Sequence, residues 1–244
     1  VVGDKAFSVG GFTGLLFYSK IKNSVADADI VVESENADIT MENIGGFVGY
    51  AYASDIEDCD SICNVISKCK TKLTGGFCGN GSKSTIKNCT AEGIIVSSNL
   101  VDAVGGFVGA NYSTNELLTV ENCSFKGSIT INYPDNKNAV SQAVGGFIGG
   151  VHEGSVELNN CYAEGEITVC GENRDVPLNI QGVGGFAGFM WEDSQFDIDS
   201  CFFEGSIKLE PSSLGVGGFI GHIIDSEGAI DNCYSICDIE SKGT

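Results

Sequence analysis

The sequence predicts an all-β chain, a right-handed parallel β-solenoid (β-helix) of about seven coils, from two recurring motifs and one periodicity. A Gly-Gly-Phe-x-Gly pentapeptide recurs with its aromatic residue at Phe12, Phe47, Phe77, Phe107, Phe147, Phe186 and Phe219. An apolar-x-Asn-Cys motif follows it, in its best copies at residues 86–89, 120–123, 158–161 and 230–233. From the Cys onward, positions 0, +2, +4 and +6 are small or apolar, while +1 and +3 are mostly charged or hydroxylated. That alternation is the period of a half-buried strand with the Cys face inward.

The spacing selects among repeat architectures. The seven Phe positions lie 35, 30, 30, 40, 39 and 33 residues apart, a range that belongs to solenoids, propellers or arrays. A propeller blade needs about 40 to 50 residues for its four strands, and the 30-residue copies are too short. Length varies mainly in polar, turn-rich stretches such as 132–138 and 170–177, which read as loops leaving constant coils. A β-branched residue precedes each Gly pair: Val9, Ile44, Thr74, Val104, Val144, Val183 and Val216. Four residues after the Cys position stands Ala28, Cys63, Gly93, Gly127, Gly165, Gly205 or Cys237. Two further on stands Ile30, Val65, Ile95, Ile129, Ile167, Ile207 or Ile239.

In a solenoid each column stacks on itself at about 4.8 Å per coil. The motif phenylalanines then form one ladder, and Cys59, Cys89, Cys123, Cys161, Cys201 and Cys233 another. Stacked cysteines have parallel Cβ vectors, which disfavours disulfides, so reduced thiols acting as small apolar fillers are expected. Cys63 and Cys237 offer an alternative pairing with Cys59 and Cys233. The Asn column (Asn23, Asn88, Asn122, Asn160 and Asn232, with Asp58 and Ser200 as variants) is assigned to a bend. The Gly pair is assigned to a second corner, for positive φ or for a close backbone approach. One coil cannot outweigh its own conformational entropy, whereas several stacked coils can.

Composition narrows the partners. The 244 residues carry 33 acidic and 13 basic side chains, a formal net charge of -20. Such a surface repels nucleic acid and anionic membranes. No window approaches a transmembrane span, and the first residues lack the basic start and apolar run of a signal peptide. The chain therefore reads as a mature or excised piece, a single domain over 1–244 of a larger protein. Val1 and Thr244 both interrupt a repeat without an evident polar cap, which leaves end-to-end self-association open.

The unit Val-Gly-Gly-Phe-x-Gly, then Ile-x-Asn-Cys, then Gly-x-Ile, resembles the GLUG-motif repeats of bacterial surface and secreted proteins. Such repeats occur in adhesin-like proteins and in the non-catalytic part of immunoglobulin A peptidases. The resemblance implies a cell-surface or secreted setting in a multi-domain parent, and it brings no catalytic residue or cofactor. Cys63 and Cys237 depart from the pattern by replacing the small Gly.

Two aromatic sets are candidate contact surfaces. Tyr162, Phe202 and Tyr234 directly follow the Cys on three adjacent coils, on the outward face, and form the preferred patch. Phe17, Tyr52, Ser82, Tyr112, His152, Trp191 and Ile224 lie five residues after the motif Phe and read first as a semi-buried column. His152 and His222 fall in different columns, so neither pairs with a nucleophile. Acid pairs such as Asp197 and Asp199, or Asp58 and Asp60, read as solvated faces, and no Gly-Gly-x-Gly-x-Asp calcium repeat occurs. The expected function is a non-catalytic extracellular scaffold or adhesion rod that meets a protein or glycan, with no cofactor or metal. The alternatives are a docking module of a peptidase or glycosidase, and a self-stacking fibre subunit. Specificity is assigned to loops at 133–139 and 170–178.

Overall fold

The computed structural model describes residues 7–34, 36, 39–133, 140–171, 179–210 and 213–241. Its regular elements are 28 β-strands, four for each of seven coils. The fourth coil shows the plan: Val101–Gly105, Val108–Tyr112, Leu117–Glu121 and Ser124–Tyr133. First strands of successive coils form one seven-stranded sheet, second strands another, and third and fourth strands together a fourteen-stranded sheet. All of these pairings are parallel, and each joins neighbouring coils. The chain is a parallel β-solenoid.

The register is the one the motifs predict. Val9, Ile44, Thr74, Val104, Val144, Val183 and Val216 are paired in succession. The seven motif phenylalanines form a continuous stack with ring centroids 4.8–5.0 Å apart and planes within 10°. Inside the stack Phe47, Phe77, Phe107, Phe147 and Phe186 are fully buried, each contributing roughly 1.5–3 kcal/mol of apolar burial. Ile95, Ile129, Ile167 and Ile207 fill the opposite wall of the same core.

The corners follow from backbone sterics. Asn23, Asp58, Asn88, Asn122, Asn160, Ser200 and Asn232 all have φ between 50° and 54°, the left-handed region in which short polar side chains are tolerated best. Their amides also link coils: Asn122 Nδ2 donates to Asn88 Oδ1 (3.1 Å) and Asn160 Nδ2 to Asn122 Oδ1 (2.7 Å). Behind each corner comes the Cys position. The thiols of Cys59, Cys89, Cys123, Cys161, Cys201 and Cys233 each donate to the carbonyl two residues back at 3.0–3.3 Å. Ser24 makes the same bond at 2.9 Å, which explains how a hydroxyl stands in for a thiol there. All eleven cysteines are unpaired. Cys63 turns its thiol to the carbonyls of Gly46 and Ala26 instead of toward Cys59.

The Gly pair serves close approach alone. Among the described glycines only Gly93, Gly165 and Gly205 have positive φ, and all three belong to the column four residues after the Cys. At the pair, a Cβ on Gly106 would overlap both the Gly146 carbonyl and the Phe125 ring. Phe125 and Phe203 thus occupy the space that the missing side chains leave.

Lysine ties the coils together outside. Eight of the nine described lysines pair with a carboxylate one coil away, among them Lys22 with Glu57, Lys87 with Glu121 (2.6 Å) and Lys208 with Glu166 (2.7 Å). These pairs are exposed and screened by solvent, so each adds little to stability. Lys22 beside Glu57, and Lys208 beside Glu166, hold the two carboxyls below the usual glutamate range.

Three outcomes test this packing. Gly165 has φ +144°, and a Cβ there would strike the Gly127 carbonyl. Gly165→Ala is expected to cost about 3 kcal/mol or more in urea unfolding, from strain plus overpacking. Burial pushes the Cys59 thiol up to about 11 and the Cys78 thiol up to about 12, and thiolate is the reactive form. Native protein at pH 9 should therefore label rapidly at no more than the three half-buried positions, Cys170, Cys233 and Cys237, and at all eleven after denaturation. Cys123→Ser should cost within about 1 kcal/mol because the back-bond survives.

Candidate functional site

The side chains at +1 from the Cys point away from the core, so an aromatic residue recurring there must stack on the surface. Tyr162, Phe202 and Tyr234 are paired in register, with centroids 4.9 Å apart and planes within 4°. Tyr162 and Phe202 are half-buried and Tyr234 is 49% exposed. Lys126 closes one end, its ammonium 5.5 Å from the Tyr162 ring centre and 3.0 Å from Glu164. Face-to-face stacking uses up the ring faces, so Tyr162 and Phe202 present edges to solvent. An edge-lined apolar strip suits side-chain contacts better than the stacking of a sugar ring.

The second aromatic set is not a surface stripe. Phe17 pairs with Tyr52 and Tyr52 with Ser82, and Tyr112 pairs with His152 and His152 with Trp191. Ser82 is fully buried and Trp191 is 7% exposed. Trp191 packs with Phe189, Leu73, Ala103, Ala110 and Ala143 in a small cluster separate from the main core. The column is buried or half-buried from Tyr52 to Trp191 and exposed at its two ends, Phe17 and Ile224. His222 lies against Phe189 at 4.8 Å. Of the loops assigned to specificity, Tyr133 is buried at a strand end and Cys170 is half-buried; 134–139 and 172–178 lie outside the described residues.

A third surface was hidden in the sequence. Where the second strand turns into the third, Glu153, Glu192, Asp193, Asp225 and Glu227 line an open cleft of about 1010 Å³. The adjoining face stacks Glu157 beside Asp197 and Asp199 beside Asp231. Of the acid pairs read from sequence as solvated, Asp197 and Asp199 thus border like charges, whereas Asp60 sits between Val25 and Thr90 and Asp58 accepts from Asn88. The lysine bridges are concentrated in the other coils. On the end coils the core columns reach solvent: Phe12 is 48% and Ile239 47% exposed, against 0% for Phe47 and Ile207.

The repeat unit also defines the kinship. The model of the GLUG motif matches residues 42–66, 71–97 and 102–131. Each match spans one coil, from first strand to fourth. Three successive coils, within residues 42–131, are thus GLUG units. The first, fifth, sixth and seventh coils carry the same ladders in the same register, beyond the three matched GLUG units. No curated protein and no solved structure matches the chain.

Stacked carboxylates at strand spacing repel, and salt screens them over roughly 8–10 Å at physiological strength. Raising NaCl from about 0.02 M to about 0.5 M should therefore raise the melting temperature, even though it weakens the lysine pairs. A fall in the melting temperature would mean that the lysine bridges outweigh the acid ladders.

Proposed function

We propose that this chain is a non-catalytic, extracellular scaffold that meets a protein partner along the Tyr162–Phe202–Tyr234 strip. The strip's geometry carries the reading: three rings held on one outer column by the strand register, edges outward, with Lys126 at one end. A rigid sheet holds these rings at little further entropic cost on binding, which is the benefit of preorganisation. Aromatic anchors of this kind supply most of the energy in protein contacts. The strong negative charge supports a partner with a basic rim, since complementary potential speeds encounter. The resemblance of the repeat to those of surface and secreted proteins supports the extracellular setting.

The test is a binding screen of the chain against immobilised mucosal and matrix proteins and a glycan array. Tyr162→Ala, Phe202→Ala and Tyr234→Ala are then combined in one variant whose circular dichroism matches the parent. A protein ligand whose affinity falls at least about tenfold in the triple variant supports the proposal. Unchanged binding would remove the strip from consideration, and hits confined to glycans would overturn the protein-partner reading.

A further inference from the structure

Two residues that line the acidic cleft, Glu153 and Glu192, come together with a histidine, His152. His152 ends a second strand, Glu153 is the corner residue after it, and Glu192 is the corner residue of the next coil. The strand register places Trp191 beside His152, and Glu153 N–H donates to the Glu192 carbonyl at 3.0 Å. One imidazole nitrogen and two carboxylate oxygens come within 4.8 Å of one another, with His152 Nε2 2.6 Å from Glu192 Oε2.

We propose that His152, Glu153 and Glu192 form a binding site for a divalent transition-metal cation of the zinc class. Bonds of about 2.0–2.2 Å at tetrahedral angles put neighbouring ligand atoms about 3.3–3.5 Å apart. The three side chains reach that spacing when the His152–Glu192 contact, 2.6 Å, opens by less than about 1 Å and the wider separations, up to 4.8 Å, close. The imidazole selects zinc, cobalt, nickel or copper over calcium, which takes six to eight oxygens.

An observation independent of charge supports the site: the imidazole is held by rings and not only by Glu192. Its plane lies on Trp191 at 4.9 Å, and Tyr112 meets it edge-on at 5.5 Å. Glu153 is oriented in turn by the Thr114 hydroxyl, which donates to its Oε2 at 2.7 Å. Outer contacts that fix ligand orientation are the usual companions of a metal site. None of the eight inter-coil lysine pairs reaches these two glutamates, so their mutual repulsion is available to be relieved by a cation. The cleft leaves the remaining coordination positions to water.

The experiment must separate this site from thiols, so Cys170, Cys233 and Cys237 are first changed to Ser in the full chain. Zinc chloride is titrated into that protein by calorimetry, with calcium chloride as a second arm. The chain has two histidines, so imidazole proton resonances report site occupancy directly. Expected are one zinc equivalent, a shift of the His152 signals with those of His222 unmoved, and no comparable heat with calcium. His152→Ala and Glu192→Gln should each weaken zinc at least about tenfold; the exposed Glu192 variant keeps the test valid if the histidine variant misfolds. No zinc binding in the cysteine-substituted protein, unmoved His152 resonances, or full affinity in Glu192→Gln would overturn the assignment.

Discussion

In a chain that climbs one strand spacing per turn, every residue has its own counterpart as a nearest neighbour, and each column must tolerate itself. Phenylalanine does so by stacking, isoleucine by packing and asparagine by passing one amide hydrogen bond to the next coil. Charge does so only in mixed company. Lys20 sits beside Asp55 and Lys126 beside Glu164, whereas Glu157 beside Asp197 is unfavourable. The fold spends apolar burial and backbone pairing to keep such pairs together, and the outer surface records where chemistry other than stability has shaped the coil.

The bends obey a second local rule. At the Asn corner a left-handed residue is followed by an inward side chain that donates to the carbonyl two residues back, and that side chain is Cys, or Ser at Ser24. The corner between second and third strands does the same with serine: Ser19, Ser54, Ser84 and Ser226 donate to Phe17, Tyr52, Ser82 and Ile224 at 2.7–2.9 Å. Thiol and hydroxyl therefore do one job at two corners. The larger, less polar sulfur faces the main core, where its extra volume fills space and its desolvation is cheap.

How much of this could be read in the chain follows from which residues the backbone demands. The Asn column was legible because a short amide is the favoured answer to a positive φ, and the Phe and Ile columns because burial leaves few substitutes. The other left-handed corner was not, since Tyr18, Ala53, Lys83, Glu153, Glu192 and Asp225 share φ near 50° but no side-chain type. There the strand pairing imposes the bend, and the identity of the residue is left free. The Gly pair was half legible: its need for closeness was read, while the positive φ belongs to Gly93, Gly165 and Gly205. The strand period puts Tyr162, Phe202 and Tyr234 on one outer column, but the use of their ring faces in stacking appears only in three dimensions. His152 and Glu192 stand 40 residues apart, so no local motif joins them.

Chain length is absorbed unevenly around the coil. Fourth and first strands are joined by two residues between Ser67 and Lys70, three between Ser97 and Val101, six between Tyr133 and Val140, and seven between Gly171 and Asn179. Their flanking strands nevertheless keep the same pairing. One edge of the solenoid is thus decoupled from its scaffold, because extra residues there alter no ladder. Peptides inserted at several of these junctions would emerge at regular heights along a single side, so the repeat is suited to multivalent display.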